Sequence, residues 1–367
     1  MESIWIHNKI IGNGGLILSR THLLIINYAM DEKSQVFSHQ VDLVNKLAEK
    51  YDKVSVLTGS VGFHKVSSNV EVISFNWIQG KKFSSLFRFV SKFLQVLSKN
   101  RFTCIFSHMT SVQSAVISPI TRALRVKHYL WYAHTSNNIY LLISRALTNG
   151  IITSTPGSCP IKGRKVFAIG QSVDSKVFDK KSRLDTPINK LIHIGRFDPS
   201  KNIEEIVAGV KRLRADYPAL KLNIVGSPSS EKFQEHMELV KSKFFTDVQQ
   251  GWLTFKPGIE RRKIPDVLKN NDCFIHAYQG SLDKTLVEAT LTAIPVATLN
   301  NEYIKIFGKW NSSDSGKSVS LVSELEYLLN LDSKTITNEV DRRHEIARRN
   351  HDSEGWINRL VKVLDQN

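Results

Sequence analysis

The stretch LIHIGRFDPSKNIEEIV, Leu191 to Val207, decides the reading of the fold. A short apolar run ends at Gly195, a turn passes through Asp198 and Pro199, and a helix-like segment opens just after Lys201. Strand, turn and helix in this order are the unit from which parallel α/β sheets are wound. Downstream the unit repeats: LKLNIVG (ending at Gly226), GWLTFKP, DCFIHAY and IPVATL read as strands separated by helical stretches. A doubly wound sheet therefore starts near Lys190. Upstream, Leu23–Ala29 and Lys53–Gly59 flank an amphipathic stretch from Val36 to Tyr51, and VEVISF, FTCIFSH, HYLWYAH and GIITST continue the alternation. Between the two halves the segment from Lys165 to Lys190 breaks the periodicity with charges, a Gly and a Pro, and the linker is placed there.

At 367 residues the chain exceeds what one hydrophobic core usually serves, so two domains are expected. The division reads as a lead-in over 1–20, one α/β domain over 21–180, a second over 181–350, and an amphipathic C-terminal helix within 351–367. The glycines Gly12 to Gly15 precede the first convincing strand instead of following it, so they lack the context of a phosphate loop. Three cysteines, Cys104, Cys159 and Cys273, form no CxxC pair, which argues against a disulfide framework or a thiolate zinc site. No signal-peptide pattern and no run of about 18 apolar residues is present, so a cytoplasmic chain is expected.

The net charge of +16 is unevenly placed. Residues 1–180 hold 22 Lys/Arg against 9 Asp/Glu, and the remainder 28 against 25. Such a field fits a polyanionic partner at the first domain (anionic lipid, a diphosphate-linked acceptor or nucleic acid) or a solvated basic surface. Nucleic acid is disfavoured, because aromatics are not interleaved with the basic clusters as a stacking platform requires.

Arg196 and Lys201 flank a turn at the carboxyl end of a strand, where open α/β sheets bind ligands. The two would reach one anion, or are surface cations beside a turn. A second strand-turn-helix unit lies in AYQGSLDKTLVEATLTAIPVAT, Ala277 to Thr298. Its helix, opening near Asp283, would aim the N–H groups of Lys284, Thr285 and Leu286 at a phosphate. Glu288, one turn in, would accept hydrogen bonds from the vicinal hydroxyls of a ribose, or is an exposed helix glutamate. These are the parts a transferase of nucleotide diphosphate sugars needs to hold a leaving diphosphate without a metal.

The segments GRFDPSKN, GSLDKTLVEATLTAIPVA and IGQSVDSKVF (Ile169 to Phe178) resemble, in order and spacing, those of the retaining family 4 glycosyltransferases. The resemblance spans about residues 22–362 and is strongest from Lys165 to Thr298. It implies an α/β GT-B fold of two Rossmann-like doubly wound domains facing a central cleft, the first taking the acceptor and the second the nucleotide sugar. It also implies that Arg196 and Lys201, with Gly195 and Gly226 beside them, serve the diphosphate of a UDP or GDP sugar, and that Glu288 is the ribose-binding second glutamate of an E-x7-E pattern. Gly280 stands where the first glutamate, which contacts the donor sugar, is expected, and Asp283 is its candidate substitute. His134, at the end of LWYAH, matches a histidine facing the donor sugar. In place of a glycine-rich turn after the first strand, Met30–Gln40 offers only Ser38 and His39.

The stretch Lys81–Arg101 reads as a helix with Phe83, Leu86, Phe87, Val90, Phe93, Leu94 and Leu97 on one face. Lys82, Arg88 and Lys92 lie elsewhere around it, the pattern of an interfacial helix or of a core helix with a solvated face. The combined expectation is a retaining glycosyltransferase, peripheral on the inner membrane face, building cell-surface polysaccharide, lipopolysaccharide or glycolipid on a lipid-linked or saccharide acceptor. A catalytically silent nucleotide-binding module and a GT-B sugar epimerase are the alternatives.

Overall fold

The computed structural model describes residues 22–34, 37–182, 187–311 and 320–366. The lead-in, with Gly12 to Gly15, lies outside them. The chain forms two compact units: one ends at Ile169 and includes the chain again from Ile357, and the other is Gly170–Trp356.

The first unit carries β1 (His22–Met30), α1 (His39–Ala48), β2 (Lys53–Val61), β3 (Val70–Ser74), α2 (Lys82–Lys99), β4 (Cys104–His108), α3 (Ser111–Ala123), β5 (Lys127–Trp131), α4 (Ile139–Leu147), β6 (Gly150–Thr153) and β7 (Val166–Ala168). All seven strands run parallel in the order β3-β2-β1-β4-β5-β6-β7. β1 is buried along nearly its whole length, which is why HLLIINYAM reads as an almost continuous apolar run. β7 lies inside the stretch assigned to a linker. It is a three-residue edge strand, half-buried throughout, so no apolar run announces it. Pro119 sits inside α3, where it removes the N–H owed to the Ala115 carbonyl, and the Ser118 hydroxyl donates to that carbonyl at 2.9 Å.

α2 corrects the sequence reading of its faces. Its buried face is Ser85, Phe89, Phe93 and Val96, on which Phe75, Ile105 and Ile117 pack. Phe83 and Phe87, read as sharing one apolar face with Phe93, are 92% and 77% exposed, and Leu94 is exposed as well. Apolar residues surround more than half of this helix, so periodicity admits two registers and only the partner surface selects one. Arg88 is not a free surface cation either: its guanidinium donates to the Asn76 carbonyl at 2.9 Å and to the Ser85 hydroxyl at 3.2 Å. Lys82 and Lys92 are exposed.

The second unit carries β8 (Lys190–Ile194), α5 (Ile203–Leu213), β9 (Lys221–Val225), α6 (Gln234–Lys243), α7 (Phe245–Gln249), β10 (Leu253–Lys256), α8 (Ile264–Lys269), β11 (Cys273–His276), α9 (Lys284–Leu291), β12 (Val296–Thr298), α10 (Asn301–Phe307), α11 (Leu321–Leu329) and α12 (Ser333–His351). The final helix α13 runs Ser353–Leu364. The parallel sheet is ordered β10-β9-β8-β11-β12. Leu191, Leu222, Cys273 and Ile275 face one core, while Ile192, Ile194 and Phe274 face another. Both faces are thus covered by helices, and the strand order reverses between β8 and β11.

Each unit buries a neutral histidine. His128 lies among the Ser107, Ser114 and Thr121 hydroxyls at 2.9, 3.3 and 3.3 Å, and burial pushes its pKa down to about 3. His193 meets the Ile275 carbonyl at 2.9 Å and is likewise held at about 3, by burial and then by neighbouring His276. With the folded pKa below the unfolded 6.5, stability is intact above pH 6.5 and is lost as pH falls through the window between the two values. At pH 5 each histidine is expected to cost about 2 kcal/mol relative to pH 7. Urea unfolding at the two pH values measures this; an unchanged midpoint would refute it.

Candidate active site

In the second unit the polar residues gather at the strand reversal, around the carboxyl ends of β8 and β11. Gly195 follows β8 and Gly226 follows β9, and a Cβ added at Gly226 would fall 1.9 Å from the Gly195 carbonyl oxygen. Only glycine lets the two strand ends approach this closely, and the approach sets where the chain carrying Arg196 departs. Arg196 is exposed and faces Asp198 at 3.4 Å, while Asp198 accepts from the Ser229 N–H at 2.9 Å. The chain then turns through Asn202, whose φ of 51° lies in the left-handed region. That turn sends Lys201 inward.

Lys201 is only 5% exposed. Its ammonium bonds the Asp283 carboxylate and stands 4.1 Å from the centroid of the Tyr278 ring. Asp283 also accepts from His276, whose ring nitrogen is 3.3 Å away. Burial would push the Asp283 carboxyl up, but the Lys201 ammonium and the His276 ring hold it well below the usual carboxylate range. Burial pushes His276 down, with the neighbouring Asp283 opposing part of the shift. Asp283 is the N-cap of α9, yet its side chain makes no capping bond, since it is turned to Lys201 and His276. The first turn of α9, with Lys284, Thr285 and Leu286, thus opens without a side-chain cap beside a buried ammonium.

The loop before α9 is held by Asn300, whose amide donates to the carbonyls of Tyr278 at 3.0 Å and Ser281 at 3.0 Å. Gln171 donates to the Leu282 carbonyl at 2.7 Å, which gives the segment from Ile169 a physical role in placing Asp283. A Cβ at Gly280 would fall 2.1 Å from the Tyr278 hydroxyl. Tyr278 therefore occupies the space into which a side chain at 280 would project.

Glu288 is 1% exposed. One carboxylate oxygen accepts from the Arg261 guanidinium, and the other has no hydrogen-bond partner among the described residues. A buried carboxylate oxygen left unpaired is costly unless a ligand completes it. Arg261 itself lies over the Phe178 ring at 5.6 Å.

Among the residues expected from the sequence, Lys201 and Asp283 meet directly, while Arg196 stands on the loop after β8 and Glu288 within α9. His134 lies in the first unit, on the exposed loop after β5, where its Nδ1 accepts from the Ser136 N–H at 3.0 Å. Ser38 caps α1 without a side-chain bond, and His39 starts that helix. Sequence reasoning missed His276, Tyr278, Asn300 and Arg261. A polar residue ending the apolar run DCFIH was the one available signal for His276. Among the described residues no group of three or more His, Cys, Asp or Glu side chains is placed to hold a metal ion.

Residues 174–311 match the model of the glycosyl transferases group 1 family. No curated protein matches the sequence significantly. Similar solved structures include HepE of Anabaena in complex with UDP and glucose, at 14% identity and TM-score 0.71, over 94% of this chain and 99% of that one. Sucrose-phosphate synthase of Thermosynechococcus elongatus is similar at 14% identity and TM-score 0.74, over 94% and 98%. The lipopolysaccharide outer core galactosyltransferase WaaB in its apo form is similar at 11% identity and TM-score 0.62, over 93% and 98%. At these identities the likeness establishes the fold, GT-B with two Rossmann-like parallel sheets.

Proposed function

We propose that the chain is a retaining, metal-independent glycosyltransferase of the hexosyl type, moving a sugar from a UDP or GDP donor to a lipid-linked or saccharide acceptor in cell-surface polysaccharide or lipopolysaccharide synthesis. The observation that carries the reading is the pairing, at the β8/β11 reversal, of a buried ammonium with an uncapped helix start, four residues before a buried carboxylate with one unmatched oxygen. The first part suits a diphosphate and the second a ribose. As the glycosidic C–O bond breaks, negative charge grows on the diphosphate; Arg196, Lys201 and the α9 amides receive it. An ammonium has three donors, so Lys201 can bond Asp283 and a phosphate oxygen together. Glu288 holds the ribose, and His134, on the acceptor-binding unit, orients the donor sugar. The match over 174–311 supports this assignment of the donor to the second unit.

The test is incubation with labelled UDP- and GDP-sugars and membrane extract. Label passing to lipid or saccharide supports transfer, an altered sugar supports an epimerase, and nucleotide binding without turnover supports a silent module. That last reading draws on Gly280, where no side chain is available to meet a sugar.

The proposal includes a cytoplasmic, peripheral location. Among the described residues no helix is long and apolar enough to cross a membrane. The exposed Phe83, Phe87 and Leu94 of α2, beside exposed Lys82 and Lys92 in the strongly basic half, suit reversible docking on anionic lipid. Each cation near such a surface contributes about 1 kcal/mol, screened over a Debye length of about 8 to 10 Å. Co-sedimentation with anionic vesicles is therefore expected at low salt, weaker at high salt, and weaker again in Lys82→Glu/Lys92→Glu. Equal binding by that variant would remove α2 from the contact.

A further inference from the structure

A groove of about 490 Å³ opens in the first unit at the carboxyl ends of β1 and β2, and none of the residues assigned to the donor lines it. Tyr28, Phe37 and Trp77 supply aromatic walls, and Asp31, Ser60 and Gln79 supply polar groups. Among the described lining residues none is Lys or Arg. This absence is notable in the basic half of the chain, where 22 of the cations lie in residues 1–180.

The walls are built rather than incidental. A Cβ at Gly59 would fall 2.6 Å from the Tyr28 carbonyl oxygen, so glycine is what brings the end of β2 onto the end of β1. A Cβ at Gly62 would fall 2.4 Å from Asp31 Cγ, so that glycine makes room for the carboxylate. The Trp77 loop is pinned three ways: its N–H donates to the Gly59 carbonyl at 2.7 Å, the preceding Asn76 adopts a φ of 50°, and Arg88 grips the Asn76 carbonyl at 2.9 Å. Arg88, which sequence pattern assigns to the membrane side, is thus a brace for this aromatic wall.

We propose that the groove is a saccharide subsite that takes an uncharged pyranose of the acceptor, with its C–H face against Trp77 and its hydroxyls on Asp31 and Gln79. The inference rests on the glycosyltransferase reading and names the class of acceptor. Ligand sites of this size, at the smaller end of a range of about 300 to 1,000 Å³, combine apolar walls with a few placed polar groups. A sugar ring carries an apolar C–H face and vicinal hydroxyls, and so matches both. One oxygen of the Asp31 carboxylate accepts from the Lys33 N–H at 3.0 Å; an alkyl chain would strip water from the carboxylate and offer the other oxygen no donor, which is unfavourable. A diphosphate or uronic acid would meet a carboxylate with no lining cation to offset it. The anionic part of a lipid-linked acceptor therefore lies outside this groove.

The probes are methyl glucoside, methyl galactoside, N-acetylglucosamine, lactose and glucuronate, titrated into the full chain while following saturation-transfer NMR and tryptophan fluorescence. Trp131, Trp252, Trp310 and Trp356 are buried, so Trp77 is the described tryptophan placed to respond to a ligand. At least one neutral saccharide is expected to bind in the millimolar range and more tightly than glucuronate. Trp77→Ala should weaken it about tenfold, the scale of losing one aromatic stacking surface, and Asp31→Asn should narrow the gap to glucuronate. UDP affinity serves as the control and should not move in Trp77→Ala; the unfolding midpoint should fall, because the half-buried Trp77 ring packs edge-on to Phe75 against the core, so binding is compared at a temperature where both chains are folded. The subsite is overturned if no neutral saccharide binds, if glucuronate binds as well, or if both variants bind like wild type. A chain that binds saccharide here yet neither binds UDP nor consumes any nucleotide sugar would instead overturn the transferase reading.

Discussion

Lys201→Ala is expected to lower the rate of sugar transfer about a hundredfold or more, the scale for removing one preorganised charge stabiliser from a transition state. Two effects combine in this variant. The diphosphate loses an ammonium, and the Asp283 carboxylate, about one fifth exposed, keeps only the His276 ring nitrogen at 3.3 Å of its two side-chain partners. Breaking a buried ion pair from one side costs about 3 to 5 kcal/mol, so part of any lost activity would reflect unfolding. Lys201→Ala/Asp283→Asn removes both charges and should return the stability while leaving the rate low; because Asp283 is itself the candidate sugar contact, Asp283→Asn alone is measured beside it, and the further fall in the double variant is the share of Lys201. Arg196→Ala provides an independent check. Its side chain is exposed and spans only 3.4 Å to Asp198, so the fold should be unaffected while the rate falls in the same direction. Near-wild-type turnover in Arg196→Ala and in the double variant would sink the diphosphate site.

Much of this architecture is legible in the amino-acid order because parallel strands buried on both faces are written as apolar runs. β1, β4 and β11 illustrate it. The turns are legible too: Gly195 and Gly226 end strands in the sequence, and the structure adds that neither strand end would fit the other with a Cβ at Gly226. What stayed illegible is contact between distant residues. Arg261 meets Glu288 across 27 positions, and nothing in IERRK distinguishes Arg261 from Arg262, whose guanidinium instead meets exposed Glu260 at 2.5 Å. Tyr278 filling the space at Gly280 could not be read from a motif that only records the missing glutamate. For α2 the failure was one of degeneracy, because a helix apolar around most of its girth satisfies the same periodicity in two orientations.

The Arg261–Glu288 pair predicts opposite consequences for its two members. Glu288 is sealed within α9, so Arg261→Ala strands a buried charge and should lower stability by about 3 kcal/mol, the low end for a broken buried pair because Arg261 is itself about one third exposed. Glu288→Gln leaves the same shape and an acceptor oxygen, and Arg261 can turn to water, so stability should fall little. Donor affinity should order the variants differently. A carboxylate accepting ribose hydroxyls makes charge-assisted bonds, and replacing it with an amide forfeits about 1.5 to 3 kcal/mol, roughly tenfold or more in the dissociation constant. Urea unfolding and UDP titration, both on the full chain, resolve the two axes. The expected pattern is Arg261→Ala unstable, and Glu288→Gln stable but weak for UDP with unchanged affinity for saccharide acceptor. UDP binding as tight in Glu288→Gln as in wild type would leave the unmatched carboxylate oxygen without a ligand and remove the ribose from this position.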